Sequence, residues 1–218
     1  MDSELFMKLM NSRRVSVWLS ACIVAGGSFP ALAAPTGYIM DVQMVPALCS
    51  LYPELAKKRK CLEGYSLNIS GLFPETSQQD CSTQTSSALP PLQAKVVARV
   101  MPDEASRARL WQSIGGCIPM SASQYFRTII NYADRLKVPQ ELTDQENMVM
   151  SINTLRTKFL KINPQLPASG IRFNCQTNRS VSLLTAVKVC YRSNGQYKQC
   201  PSSVVNTCPQ NITIKGTY

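Results

Sequence analysis

The apolar positions of the chain fall into runs of distinct period. Tyr38 to Met44 is apolar and β-prone, and Pro46 ends it, which predicts a strand. Leu51 to Cys61 predicts a short helix or turn that carries the basic run Lys57-Lys58-Arg59-Lys60. Tyr65, Leu67 and Ile69 alternate with Ser66, Asn68 and Ser70, the period of a half-buried strand, and Gly71 and Pro74 are expected to break it. Thr76 to Ser87 is rich in Ser, Thr, Gln and Asp and reads as a loop. Pro91 can open a helix running to about Val100. After Pro102, Asp103 can cap a second helix through Trp111.

Further along, Ser121 with Gln124 fits a capping box, and Tyr125, Phe126, Ile129, Ile130, Ala133 and Leu136 follow at helical spacing until Pro139. Thr143 with Glu146 fits another, ahead of the stripe Ile152, Leu155, Phe159 and Ile162, which stops before Pro164. Both stripes read as core. Ile171 to Asn174, Leu183 to Tyr191, Gln196 to Cys200 and Ile212 to Lys215 predict strands. Asn194-Gly195 is a strong hairpin signal almost midway between Cys190 and Cys200, so a disulfide across that turn fits its geometry. Strands first, helices in the middle and strands last give the α+β class and a single domain, with no internal repeat or linker.

The N-terminus adds an expectation of export. Lys8, Arg13 and Arg14 precede the short apolar stretch Val15 to Gly27, and Ala31-Leu32-Ala33 is a small-x-small cleavage signal. Residues 1–33 are therefore read as a signal peptide and 34–218 as the mature domain. Leu19-Ser20-Ala21-Cys22 also spells a lipoprotein box, but only a short apolar stretch separates it from Arg14, so soluble export is the preferred reading. Setting Cys22 aside leaves eight cysteines, an even number that in an exported chain implies disulfides rather than zinc, since the chain has no His and no C-x-x-C pair. No apolar run of the mature chain is long enough to be a transmembrane helix. The formal charge is +10, and a leader with three basic and two acidic residues leaves +9 for the rest. Such a charge suits an anionic partner, although the basic residues are spread and the one run, Lys57 to Lys60, reads as a solvated face. No Walker loop, dinucleotide fingerprint or nucleophile elbow is present, and no cofactor or metal is implied.

Two segments carry a family resemblance. Ser66-Leu67-Asn68-Ile69-Ser70-Gly71-Leu72-Phe73-Pro74 resembles the first active-site segment of the ribonuclease T2 family, T-I-H-G-L-W-P, with Ser70 in place of the catalytic His. Arg109-Leu110-Trp111-Gln112-Ser113-Ile114-Gly115-Gly116-Cys117 resembles the second, H-E-W-x-K-H-G-T-C. Trp111, Gly115 and Cys117 match. Arg109 stands for the first His, Leu110 for the Glu, Ser113 for the Lys and Ile114 for the second His. Pro46 with Cys49, Gln124-Tyr125-Phe126, and Cys175, Cys190 and Cys200-Pro201 add matches, so the likeness spans most of the mature chain. It implies a central antiparallel sheet with packed helices and four disulfides: Cys49 with Cys61, Cys81 with Cys117, Cys175 with Cys208, and Cys190 with Cys200.

The family's reaction needs one group to take the ribose 2′ proton, another to protonate the departing 5′ oxygen, and a cation for the charge on phosphorus. Ser70 exchanges no proton at neutral pH, Ile114 has none to move, Leu110 and Ser113 remove the carboxylate and the ammonium, and Arg109 stays charged. The expectation is a protein that has lost family catalysis. It would bind RNA, another polyanion or an envelope protein in the periplasm or the medium. The alternatives are a weak endoribonuclease using carboxylates, with Glu75 the nearest in sequence, and a structural or inhibitory envelope protein. Leu110 and Ile114 would either pack inward and fill the old groove, or leave Arg109 free to hold a phosphate. The sequons at Asn68, Asn178 and Asn211 read as chance, Asn68 lying inside a buried strand.

Overall fold

A computed structural model describes residues 34–217 of the chain; the expected signal segment and Cys22 lie outside the described residues. Strand β1 (Gly37–Met44) alternates strictly: Tyr38, Met40, Val42 and Met44 are buried, while Asp41 and Gln43 take the other face of the sheet. Helix α1 (Val45–Leu51) follows without a break. The strand ends before Pro46 as expected, and Pro46 sits in the first turn of α1, where a missing N–H leaves no hydrogen bond unmade, so the proline also opens a helix. Of the basic run, only Arg59 and Lys60 enter a helix, the single turn α2 (Arg59–Leu62).

Strand β2 (Leu67–Pro74) pairs antiparallel with β1 and does not break at Gly71. Its register with β1 shifts between Asp41 and Val42, which leaves Ser70 as the extra residue of a bulge. Pro74 is the last residue of an edge strand, where a missing donor is tolerated. Helix α3 (Pro91–Ala98) is where Pro91 places it, and α4 (Glu104–Ile114) runs one turn beyond Trp111. Asp103 occupies the cap position of α4 but its carboxylate accepts the Arg59 N–H (3.2 Å) instead of capping.

Helix α5 (Ala122–Arg135) starts with both halves of its capping box formed: the Ser121 hydroxyl accepts the Gln124 N–H (3.3 Å) and Gln124 Oε1 accepts the Ser121 N–H (2.9 Å). The Thr143–Glu146 box does not form. Thr143 donates its hydroxyl to the Gln140 carbonyl (3.0 Å), and strand β3 (Met148–Ser151) follows, unpredicted because its four residues become a strand only through pairing with β6. Helix α6 (Ile152–Ile162) is capped by Ser151, whose hydroxyl accepts the Thr154 N–H (3.0 Å).

Strands β4 (Ile171–Asn178), β5 (Val181–Arg192) and β6 (Asn211–Ile214) complete a six-stranded sheet of order β2-β1-β5-β6-β3, with β4 on β5. Every pairing is antiparallel except β5 with β6, so the sheet is mixed. Gln196 to Cys200 forms no strand: past the turn at Gly195 (φ 82°) only the bridge between Tyr191 and Tyr197 forms. The core lies between the sheet and α5 and α6, where Tyr125, Phe126, Ile129, Leu155 and Phe159 are fully buried against Met40, Phe173 and Leu184. All four disulfides pair as the resemblance implies.

Candidate functional site

The site is built on the edge strand β2. Its outward backbone groups are satisfied: the Ile69 N–H donates to the Val100 carbonyl (2.8 Å), and the Tyr125 hydroxyl accepts the Leu72 N–H (3.0 Å) and donates to the Leu72 carbonyl (3.3 Å). The chain after α3 therefore runs beside β2 and delivers α4 to it. Arg107, 7% exposed, fastens the start of α4 by donating from Nη1 to the carbonyls of Met101 (2.5 Å) and Pro102 (3.3 Å). At the other end, Trp111 donates its indole N–H to Thr85 Oγ1 (3.0 Å) and the Cys81–Cys117 disulfide ties α4 to the polar loop.

The five positions singled out in the two sequence segments fall into different surroundings. Ser70 is half-buried in the bulge, its hydroxyl donating to the Asp41 carbonyl at 3.4 Å. Leu110 lies over the neighbouring glycine so closely that a β-carbon at Gly71 would stand 3.0 Å from its Cδ1 and 3.0 Å from Phe73 Cζ. Ile114 is 9% exposed and belongs to the hydrophobic core. Arg109 and Ser113 are on the solvent side; Arg109 donates to Ser106 Oγ (3.3 Å) and the Ser113 hydroxyl to the Leu110 carbonyl (2.8 Å). Leu110 and Ile114 thus pack inward, and Arg109 turns outward.

A polar cleft of about 140 Å³ remains beside Ser70. Gln43 of β1, Asn68 of β2, Lys60 of α2, and Asp103, Ser106 and Arg107 at the start of α4 line it. Lys60, expected on a solvated face with the rest of its run, is turned in: its ammonium donates to Gln43 Oε1 (2.9 Å), which also accepts from the Asn68 amide (3.1 Å). The Arg59 N–H bond to Asp103 holds α2 against α4 and sets this position. Burial pushes the Lys60 amine below its ordinary value, and Lys58 adds to this, while Asp103 and Asp41 oppose it. Behind Ser70, Asp41 lies opposite Lys188 of β5 with Oδ1 buried and without a hydrogen-bond partner. Burial pushes its carboxyl up, against the opposing pull of Lys188, the Ser70 hydroxyl and Lys60.

Two cations with amide donors and acceptors can hold a phosphate-sized anion. Nothing in the cleft is an imidazole, since the chain has none. Glu75, the carboxylate nearest in sequence, is committed elsewhere: it forms an ion pair with Lys198 and is reached by the Thr36 hydroxyl (3.4 Å). Among the described residues no cluster of His, Cys, Asp or Glu could hold a metal ion, and no helix is long and apolar enough to cross a membrane.

The same architecture recurs in ribonucleases. Ribonuclease MC1 from the seeds of bitter gourd superposes with a TM-score of 0.62 at 17% identity, over 81% of this chain and 98% of that one. The self-incompatibility-associated SF11-RNase of Nicotiana alata gives 0.61 at 12% identity, over 80% and 95%. An RNase-related protein from Calystegia sepium gives 0.61 at 14% identity, over 82% and 96%. No family model matches the sequence, and no curated protein matches it. The fold is that of the T2 ribonucleases.

Proposed function

We propose that the chain is an exported RNA-binding protein that uses a T2-ribonuclease scaffold without its catalysis. The observation that carries this reading is the exchange of roles around β2. The positions that the resemblance sets against the family's His and Glu hold Ser70, Arg109, Leu110 and Ile114, of which Leu110 packs on Gly71 and Ile114 in the core, while Lys60 and Arg107 line a cleft beside Ser70. General acid–base help is worth about 10²–10⁴-fold, and loss of both partners together with the cation removes the family reaction. Charge remains: Lys57 and Lys58, in the same basic run as Lys60, and Arg109, on α4 with Arg107, are exposed. Variants of ribonuclease MC1 have been solved with 5′-UMP and with 5′-GMP, which makes a ribonucleotide the first ligand to try here. Four disulfides support export to an oxidising compartment, the periplasm or the medium.

Fluorescence anisotropy with a labelled oligoribonucleotide across a salt series tests binding. The expected result is a steep fall of affinity with salt, with a slope reduced by about one in Lys60→Ala. Binding that ignores RNA and follows vesicles of anionic lipid would favour an envelope role instead.

A second reading, residual cleavage, is favoured by Asp41 alone, a carboxyl raised by burial beside Ser70. It requires a rate optimum at low pH that Asp41→Asn abolishes and Glu75→Gln leaves in place.

A further inference from the structure

On the opposite face of β1 and β2 from the polar cleft, a cavity of about 220 Å³ opens between the sheet and the ends of α3 and α5. Its walls are Met40 and Val42 of β1, Ile69 of β2, Val100 beyond α3, Ala133 and Leu136 at the end of α5, and Val138 just after it. Met40, Val42, Ile69 and Leu136 are otherwise core residues, so the space interrupts a close-packed apolar layer. Two polar side chains border it. Asn68 is spent, its amide donating to Gln43 (3.1 Å) across the strand. Arg99 is exposed, and takes part in none of the ion pairs or side-chain hydrogen bonds among the described residues.

These features specify a ligand. Apolar walls hold an apolar body, and an apolar cavity of about 150 Å³ is known to take a benzene ring. A guanidinium at the mouth prefers a carboxylate, which it can engage with two parallel hydrogen bonds. A nucleobase fits poorly, since the walls leave its polar edges unpaired. We propose that this cavity binds a small amphipathic carboxylate, a single aromatic ring or a chain of about six carbons, inserted tail first with its head group on Arg99. The cavity adjoins the polar cleft at Asn68 and Ile69, which border both, but its apolar walls and Arg99 are its own, and the inference does not rest on the RNA reading.

Titration of the ¹⁵N-labelled protein with hexanoate and phenylacetate, against hexanol and phenylethanol, tests it. Saturable shifts are expected at Val42, Ile69, Val100 and Leu136, with each carboxylate about three- to fivefold tighter than its alcohol at low salt. Arg99→Gln should remove that preference and leave alcohol binding as it was. Ala133→Phe should fill the space and abolish binding of both; should that variant fail to fold, Val138→Trp obstructs the same cavity. Absence of saturable shifts at millimolar ligand overturns the proposal. So do equal affinities for acid and alcohol in the unaltered protein, or binding that survives the filling variants.

Discussion

At the scale of single residues, the proposed loss of catalysis turns on hydrocarbon at two positions that the resemblance sets against ionisable side chains. Leu110 and Ile114 lie four positions apart on α4, on the stripe that faces β2 and the core. Leu110→Ala removes the side chain that covers Gly71, and because Leu110 is only half-buried the cost should be about 1–3 kcal/mol, measured by chemical denaturation. Asp41 gives a pH signature. Its carboxyl is raised in the folded chain above the ordinary 3.8, so the group favours folding in acid and works against it once pH climbs through the raised value. Asp41→Asn should therefore raise the melting temperature at about pH 7 and bring no such gain at about pH 3. The inward packing of Ile114 was open to the sequence, which offered it as a core filler. The cleft was not. Lys60 belongs to a run whose other three residues are exposed, and tertiary contacts with no local signature, the Arg59–Asp103 and Lys60–Gln43 bonds, turn it inward. Arg107 did leave a signal, a cation at helical spacing from Trp111 and Ile114 in a stripe otherwise apolar.

At the scale of elements, local signals succeeded where the chemistry is local. Ser121 and Gln124 close their own capping box, and Pro91 opens α3. They failed where pairing decides. Gly71 looked like a break, yet β2 continues through it because β1 supplies a partner and Leu110 needs the room. The strand β3 exists only against β6. The edge of β2 depends on one hydroxyl. Tyr125→Phe deprives the Leu72 N–H and carbonyl of their partner, and should cost about 1–3 kcal/mol with loss of amide-exchange protection at Leu72.

At the scale of the whole molecule, the same fold recurs at 12–17% identity, and in this chain it rests on patterns many sequences satisfy: an alternating β1, the buried faces of α5 and α6, and four crosslinks. The order of strand and helix signals made the α+β class readable in advance and the family resemblance implied the crosslinks, whereas the parallel contact of β5 with β6 carries no local signature. Function is set by a far smaller set of atoms than the fold. The most direct measurement is to incubate the purified, contamination-controlled protein with a defined oligoribonucleotide at neutral pH and follow 2′,3′-cyclic phosphate ends by mass spectrometry. No such product should form above the protein-free control, even at high protein concentration. Its accumulation at the turnover of an active ribonuclease would contradict the loss of proton transfer on which the functional reading stands.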